Sequence, residues 1–389
     1  MSLSNTISQL KRGRAAFAAG HMHAPGAGAQ DTSARLSEFG GFPNPGNLRA
    51  LCYVPEGLTA PAPLLVVLHG CTQNAAGYDR GAGWSLLAQR HGFALLYAEQ
   101  RRDNNNNLCF NWYQRPDASR GSGEAASIAN MVEALKAKHP IDPDRVYVTG
   151  LSAGGAMAAA MLATYPDLFA GGAIIAGLPY GCAANLAEAF ECMGGRGFGD
   201  PAALADKVRA GSSHRAAWPR LSIWQGSADY IVAPANADAL AAQWTGLHGL
   251  PGRPDQVETV DGHTRRVWTG PEGQELIEYW TVQGMAHGTP LMPGTGEGES
   301  GEATAHMLDV GLSSTDRIAA FFGIAPEVKA RSERVKAAPE RAARRPATAT
   351  AIGANSEARL TPAAAPAAAP VSGIQKTIED ALRKAGLMH

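Results

Sequence analysis

The chain has 389 residues, 34 basic and 35 acidic, enough to bury one large core and still carry appendages. So even a charge balance excludes a global attraction to nucleic acid or to an anionic membrane surface, and apolar runs of strand length exclude a membrane-spanning helix. Five cysteines (Cys52, Cys71, Cys109, Cys182 and Cys192) include no Cys-x-x-Cys pair, so no metal or other cofactor is expected, and the odd number leaves a thiol free in a monomer.

Residues 1–47 are rich in Ala, Gly and Pro after a short helical pattern at 7–17, the composition of a loosely held, partly flexible arm. The alanine-rich run at 15–19 behind Lys11, Arg12 and Arg14 is too short and too weakly apolar for a secretory signal. A strand is expected over 48–54. The continuous apolar run at 63–68, closed by His69-Gly70, has the pattern of a strand buried on both faces. A helix over 84–91 and a buried strand over 93–98 follow. A polar loop then spans 99–120, with Asn104 to Asn107 in a row and Cys109-Phe110-Asn111-Trp112-Tyr113 after them. Residues 124–139 form a helix with Ile128, Met131, Val132 and Leu135 on one face.

The next stretch organises the rest. Val146-Tyr147-Val148-Thr149 feeds directly into Gly150-Leu151-Ser152-Ala153-Gly154, and a small-residue helical pattern continues to 163. Strand, sharp turn and helix with serine at the apex is the context that turns a bare Gly-x-Ser-x-Gly into a nucleophile elbow. Beyond it come a short strand at 172–176 and an irregular segment over 178–219. A strand over 220–225 ends in Gly226-Ser227-Ala228-Asp229. A helix spans 234–247, a hairpin turns at Asp261-Gly262, and a last strand over 276–282 ends in Gly284-Met285-Ala286-His287-Gly288. A closing helix lies at 315–322. Strands alternating with helices predict an α/β fold, a mostly parallel sheet covered on both faces, with ligands outside the carboxyl ends of its strands.

A serine hydroxyl becomes a nucleophile when a base takes its proton and a third group holds that base, and on such a sheet the chain order is Ser, acid, His. Ser152, Asp229 and His287 fill that order at strand ends. Asp238, Asp255 and Asp261 fall in a helix, a connection and a turn; His214 and His263 fall in the irregular segment and the hairpin, and His306 is too far from a predicted strand. Oxyanion donors are expected at the N–H of Ala153 and at the turn after His69-Gly70, at Cys71 or else Thr72. His69 is expected to hold that turn by a hydrogen bond rather than to act as a base. Trp112 and Tyr113 would form an aromatic rim for a long, flat substrate, or else pin their loop to the core. Cys71 and Cys109 follow neighbouring strands at one sheet edge, where a disulfide is geometrically feasible. Cys182 and Cys192 are close enough in sequence to pair as well, and five reduced thiols is the alternative.

Leu68-His69-Gly70-Cys71-Thr72-Gln73, Cys109-Phe110-Asn111-Trp112-Tyr113, the elbow with Gly155-Ala156-Met157, Ala176-Gly177-Leu178-Pro179-Tyr180-Gly181 and Gly284-Met285-Ala286-His287-Gly288 together resemble the polyhydroxybutyrate depolymerase family of α/β-hydrolase esterases. The resemblance spans 48–323. It implies Ser152 as nucleophile, Asp229 as acid, His287 as base, an oxyanion loop at His69 to Cys71, and a secreted esterase of short-chain polyhydroxyalkanoates, with a polyester or oligoester as its substrate. A feruloyl or acetyl xylan esterase is the alternative within the fold, and a non-catalytic polymer-granule protein the alternative outside enzymes. A catalytic domain is expected over 48–325. An Ala-, Pro- and Arg-rich linker over 326–370 and a short amphipathic helix over 371–389 follow it; the helix would hold the enzyme at a polymer surface, with docking on the catalytic domain or pairing with a second copy as the alternatives. Oligomeric state is left open.

Overall fold

The computed structural model describes residues 35–58 and 60–329. The helical pattern at 7–17, nearly all of the linker and the terminal helix lie outside the described residues. Among the described residues twelve strands form, ten of them in one sheet of order β1-β2-β4-β3-β5-β6-β7-β10-β9-β8. Its centre is β3 (Ala62–Leu68), β4 (Ala94–Glu99), β5 (Ile141–Leu151), β6 (Gly171–Ile175), β7 (Arg220–Gly226) and β10 (Glu275–Val282). All five pairings among these six are parallel. Antiparallel strands finish both edges: β1 (Ser37–Phe39) and β2 (Arg49–Tyr53) on one side, β8 (Gln256–Val260) and β9 (His263–Thr269) on the other.

The period of two along the strands divides the core into two layers. Leu64, Val66 and Leu68 of β3 pack with α3 (Gly123–Lys138), α4 (Ala153–Thr164) and α7 (Ala235–His248). Leu65 and Val67 face the other way, toward α1 (Ala75–Ala82), α2 (Trp84–His91) and α8 (Ser314–Phe321). Every residue of α4 is buried. Its small side chains let the helix lie close against the strand ends, and this is the α/β-hydrolase arrangement.

Four features go beyond the sequence expectations. The residues from Ser37 to Phe39 are not part of a loose arm but pair with Cys52 to Ala50 at the sheet edge. Helix α1 was not expected, because AAGYDRGA carries two glycines and little apolar periodicity; the Asn74 side chain fixes its start by accepting from the Gly77 N–H at 2.7 Å. The segment 178–219 holds two helices, α5 (Leu186–Met193) and α6 (Pro201–Gly211), capped by Asn185 and Asp200. After β10 come β11 (Thr289–Leu291) and β12 (Met307–Asp309), a separate parallel pair that holds the chain beyond His287 in place.

Candidate active site

Ser152 sits between β5 and α4 with φ 58° and ψ −116°, a conformation that side chains bearing a Cβ rarely adopt. Its N–H is held by the carbonyl of Ile175 at 2.9 Å and its own carbonyl accepts from Ala156 at 2.9 Å, so the strained residue is fixed from both sides. The flanking glycines are demanded by close approach. A Cβ on Gly154 would stand 2.2 Å from the Leu68 carbonyl oxygen, and one on Gly150 2.3 Å from that of Gly154. The turn therefore packs against the end of β3, which brings the elbow beside the turn at 69–73.

Asp229 and His287 stand on adjacent loops at the carboxyl ends of β7 and β10. The loops are tied by Ser227 N–H to Val282 O, Ala228 N–H to Met285 O and Gly284 N–H to the Ser227 hydroxyl, all 2.8–3.0 Å. His287 Nδ1–H donates to Asp229 Oδ2 at 2.8 Å. The same oxygen accepts from Gln225 Nε2 at 3.1 Å, and Oδ1 accepts from the N–H groups of Ile231 and Val232, each at 2.9 Å. Four N–H donors converge on a carboxylate whose side chain is 0% exposed, an arrangement that suits the ionised, acceptor-only form. With Nδ1 engaged, Nε2 is the nitrogen of His287 left for other chemistry. No hydrogen bond joins it to the Ser152 hydroxyl among the described residues; such contacts tighten when substrate is bound.

At the turn after β3, donors can be assigned one by one. Gly70 N–H donates to Gln73 Oε1 at 2.8 Å, Thr72 N–H to Asn107 O at 2.7 Å, and Gln73 N–H to Gly70 O at 3.3 Å. The Thr72 N–H is thereby occupied within the protein. The N–H groups of Cys71 and Ala153 have no partner among the described residues. Cys71 is also bonded to Cys109 through a disulfide. His69 is buried, with Nδ1–H donating to Gly70 O at 2.7 Å and Nε2 accepting from Gln100 N–H at 3.1 Å. Both nitrogens are occupied and burial depresses its pKa, so it is a neutral brace for the turn.

Trp112 and Tyr113 are half-buried and meet edge to face, ring centroids 5.5 Å apart, with Trp112 packed against the core. Cys182 and Cys192 are not bridged. Both are free and buried, Cys192 Sγ lying 3.0 Å from the Cys182 carbonyl, and Cys52 is free within β2. Gln225 was not singled out in the sequence, and His306 was set aside there as too far from a strand. Gln225 holds Asp229, as above. His306 directly precedes β12, its Nδ1–H donating to the His287 carbonyl at 3.2 Å and its ring 5.9 Å from that of His287. The strand that places it is three residues long, too short to leave a pattern. Among the described residues no cluster of three or more potential metal ligands occurs, and no helix is long and apolar enough to cross a membrane. A cavity of about 340 Å³ opens at the opposite end of the sheet, by Pro63, Gly92 and Arg145, and includes none of these groups.

Residues 48–262 match the family described as Esterase PHB depolymerase. The chain is 47% identical over 322 residues to poly(3-hydroxyalkanoate) depolymerase C of Paucimonas lemoignei, covering 82% of this chain and 77% of that protein. It is 33% identical over 263 residues to an acetylxylan esterase of Coprinopsis cinerea, covering 66% of this chain and 69% of the relative. Among solved structures, acetyl xylan esterase from Aspergillus awamori superposes with a TM-score of 0.63 at 25% identity, covering 75% of this chain and 99% of that one. The fold, the elbow and these likenesses lead to one assignment: the chain belongs to the esterase PHB depolymerase family, carboxylic-ester hydrolases of the α/β-hydrolase fold.

Proposed function

We propose that this protein hydrolyses the ester bonds of poly- and oligo(3-hydroxybutyrate)-type polyesters through an acyl-enzyme on Ser152. The likeness to a poly(3-hydroxyalkanoate) depolymerase along most of both chains carries the choice of substrate. In the proposed mechanism His287 Nε2 takes the proton of the Ser152 hydroxyl as Oγ attacks the ester carbonyl. Asp229 holds the imidazole through Nδ1 and stabilises the imidazolium that forms. The tetrahedral oxyanion is met by the N–H groups of Cys71 and Ala153, preorganised donors that need no rearrangement. His287 then gives its proton to the leaving alkoxide, releasing a hydroxyl-ended fragment, and activates the water that frees the acid-ended fragment.

A disulfide between Cys71 and Cys109 persists in oxidising surroundings, which supports an extracellular site of action for an enzyme whose substrate is an insoluble polymer. The likeness to acetylxylan esterases favours a second reading, deacetylation of a carbohydrate, because fold and site chemistry are common to both. Incubation of wild-type and Ser152→Ala protein with the 3-hydroxybutyrate trimer tests the first. Release of shorter acids by the wild type alone is expected. Release by both would remove Ser152 as the nucleophile, and release by neither would remove the polyester substrate.

A further inference from the structure

The turn that presents the Cys71 N–H is braced by a buried polar network centred on a residue with no part in the proposed chemistry. Glu124, the second residue of α3, is 1% exposed. Its Oε1 accepts from Gln100 Nε2 at 2.6 Å and from Asn111 Nδ2 at 2.7 Å, and its Oε2 accepts from the Asn111 N–H at 2.9 Å. From this carboxylate two routes lead to Cys71. One runs through Gln100, whose N–H donates to His69 Nε2, and on through His69 Nδ1–H to Gly70 O. The other runs through Asn111 Oδ1, which accepts from Asn105 Nδ2 at 3.1 Å. Asn105 Oδ1 in turn accepts from the N–H groups of Asn107 and Cys109. Asn107 O holds Thr72, and Cys109 holds Cys71 by the disulfide. The residues on either side of Cys71 are thus linked to one carboxylate by two separate routes, through the side chains of Gln100 and Asn111. The same carboxylate grips Asn111, the neighbour of Trp112.

We propose that Glu124 is a positioning residue of the oxyanion site, setting the direction of the Cys71 N–H through Gln100 and Asn111. This rests on the assignment of Ser152, His287 and Cys71 given above. A carboxylate at this point is costly to bury and would be replaced by an apolar side chain if packing were its only task. Every group aimed at it is an N–H donor, and the helix dipole at this end also favours negative charge, so donors and dipole oppose the burial that disfavours the ionised form. An oxyanion donor acts only where charge develops, so a small misdirection lowers turnover while leaving ground-state binding alone.

Glu124→Gln keeps the shape and loses one acceptor. With 4-nitrophenyl butyrate we expect kcat to fall about tenfold while KM stays within about twofold. Butylboronic acid provides the independent reading, because its boron takes the Ser152 Oγ, the proton passing to His287, and becomes a tetrahedral anion in the oxyanion site. Its Ki should rise by the same factor as kcat falls. A lower melting temperature with kcat per folded molecule and Ki both unchanged would make Glu124 a structural residue and overturn the proposal. Should Glu124→Gln fail to fold, Gln100→Met keeps the main-chain donor to His69 and removes the side-chain link; it must show the same paired change, and unchanged kcat and Ki would again overturn it. Wild-type enzyme that hydrolyses the ester but ignores the boronic acid, or Ser152→Ala that stays active, would instead strike at the assignment of the site itself.

Discussion

The N–H of Thr72 donates to the carbonyl of Asn107 at 2.7 Å, and one residue earlier Cys71 is bonded to Cys109. Two successive residues of the turn after β3 are therefore held by two points of one neighbouring loop. Closing a loop of 38 residues restricts the unfolded chain, which in the loop-entropy account is worth about 4 kcal/mol. The Cys71→Ser/Cys109→Ser double variant should lose roughly 2–4 kcal/mol in denaturant unfolding, and its turnover on a butyrate ester should fall because the turn is freed. Alkylation of the unfolded, unreduced chain should label three thiols, and all five after reduction. Five labelled without reduction would remove the bridge.

The strain at Ser152 has a signature in stability. Alanine there keeps a Cβ at φ 58° and should be inactive yet within about 1 kcal/mol of wild type. Glycine at the same position escapes the steric penalty, so Ser152→Gly should be inactive and more stable than Ser152→Ala by about 1 kcal/mol. Equal stabilities in urea titrations would show that the turn stores no strain.

Trp112 packs on the core yet retains an exposed face beside the loop that holds Cys71. Trp112→Ala should cost about 1–3 kcal/mol of stability. If the aromatic pair forms a rim for a long substrate, turnover of the hydroxybutyrate trimer should suffer several-fold more than turnover of 4-nitrophenyl butyrate. Equal losses on both substrates would leave Trp112 with an anchoring role alone.

The strands and the elbow were legible because buried parallel strands need unbroken apolar runs, and the elbow needs glycines that only close approach explains. The placement of Ser152, Asp229 and His287 at strand ends was legible in the same way. What was hidden depends on tertiary partners. Nothing local distinguishes Glu124 from the other acidic residues of the chain until Gln100 and Asn111 fold over it. His306 is placed by a strand too short to show a pattern, and α1, α5 and α6 are short helices whose starts are set by the side chains of Asn74, Asn185 and Asp200. The pairing of Cys71 with Cys109 and the separation of Cys182 from Cys192 differ only in geometry.

Glu124 also imposes a pH dependence on stability. Burial is the main cause that raises its pKa from 4.5 to about 7, against the N–H donors that favour its charge. Between those values the folded protein keeps a proton that the unfolded chain has lost. The contribution to stability is full below about pH 4.5 and is lost as pH rises through about 7, at most about 3 kcal/mol. His69, whose pKa burial lowers, acts in the opposite sense, with stability lost as pH falls below its ordinary value of 6.5. Comparing Glu124→Gln with wild type cancels the His69 effect. Relative to wild type the variant should gain stability between about pH 5 and pH 8, and a difference that does not change with pH would mean that Glu124 titrates normally.

A side-by-side measurement of kcat/KM decides between a polyester and a carbohydrate ester as the substrate. The purified enzyme is given the 3-hydroxybutyrate trimer, an acetylated xylo-oligosaccharide and methyl ferulate under one set of conditions. The trimer should be preferred by at least about a hundredfold, a discrimination of roughly 3 kcal/mol in transition-state binding. A preference of that size for the acetylated sugar or the ferulate would contradict it.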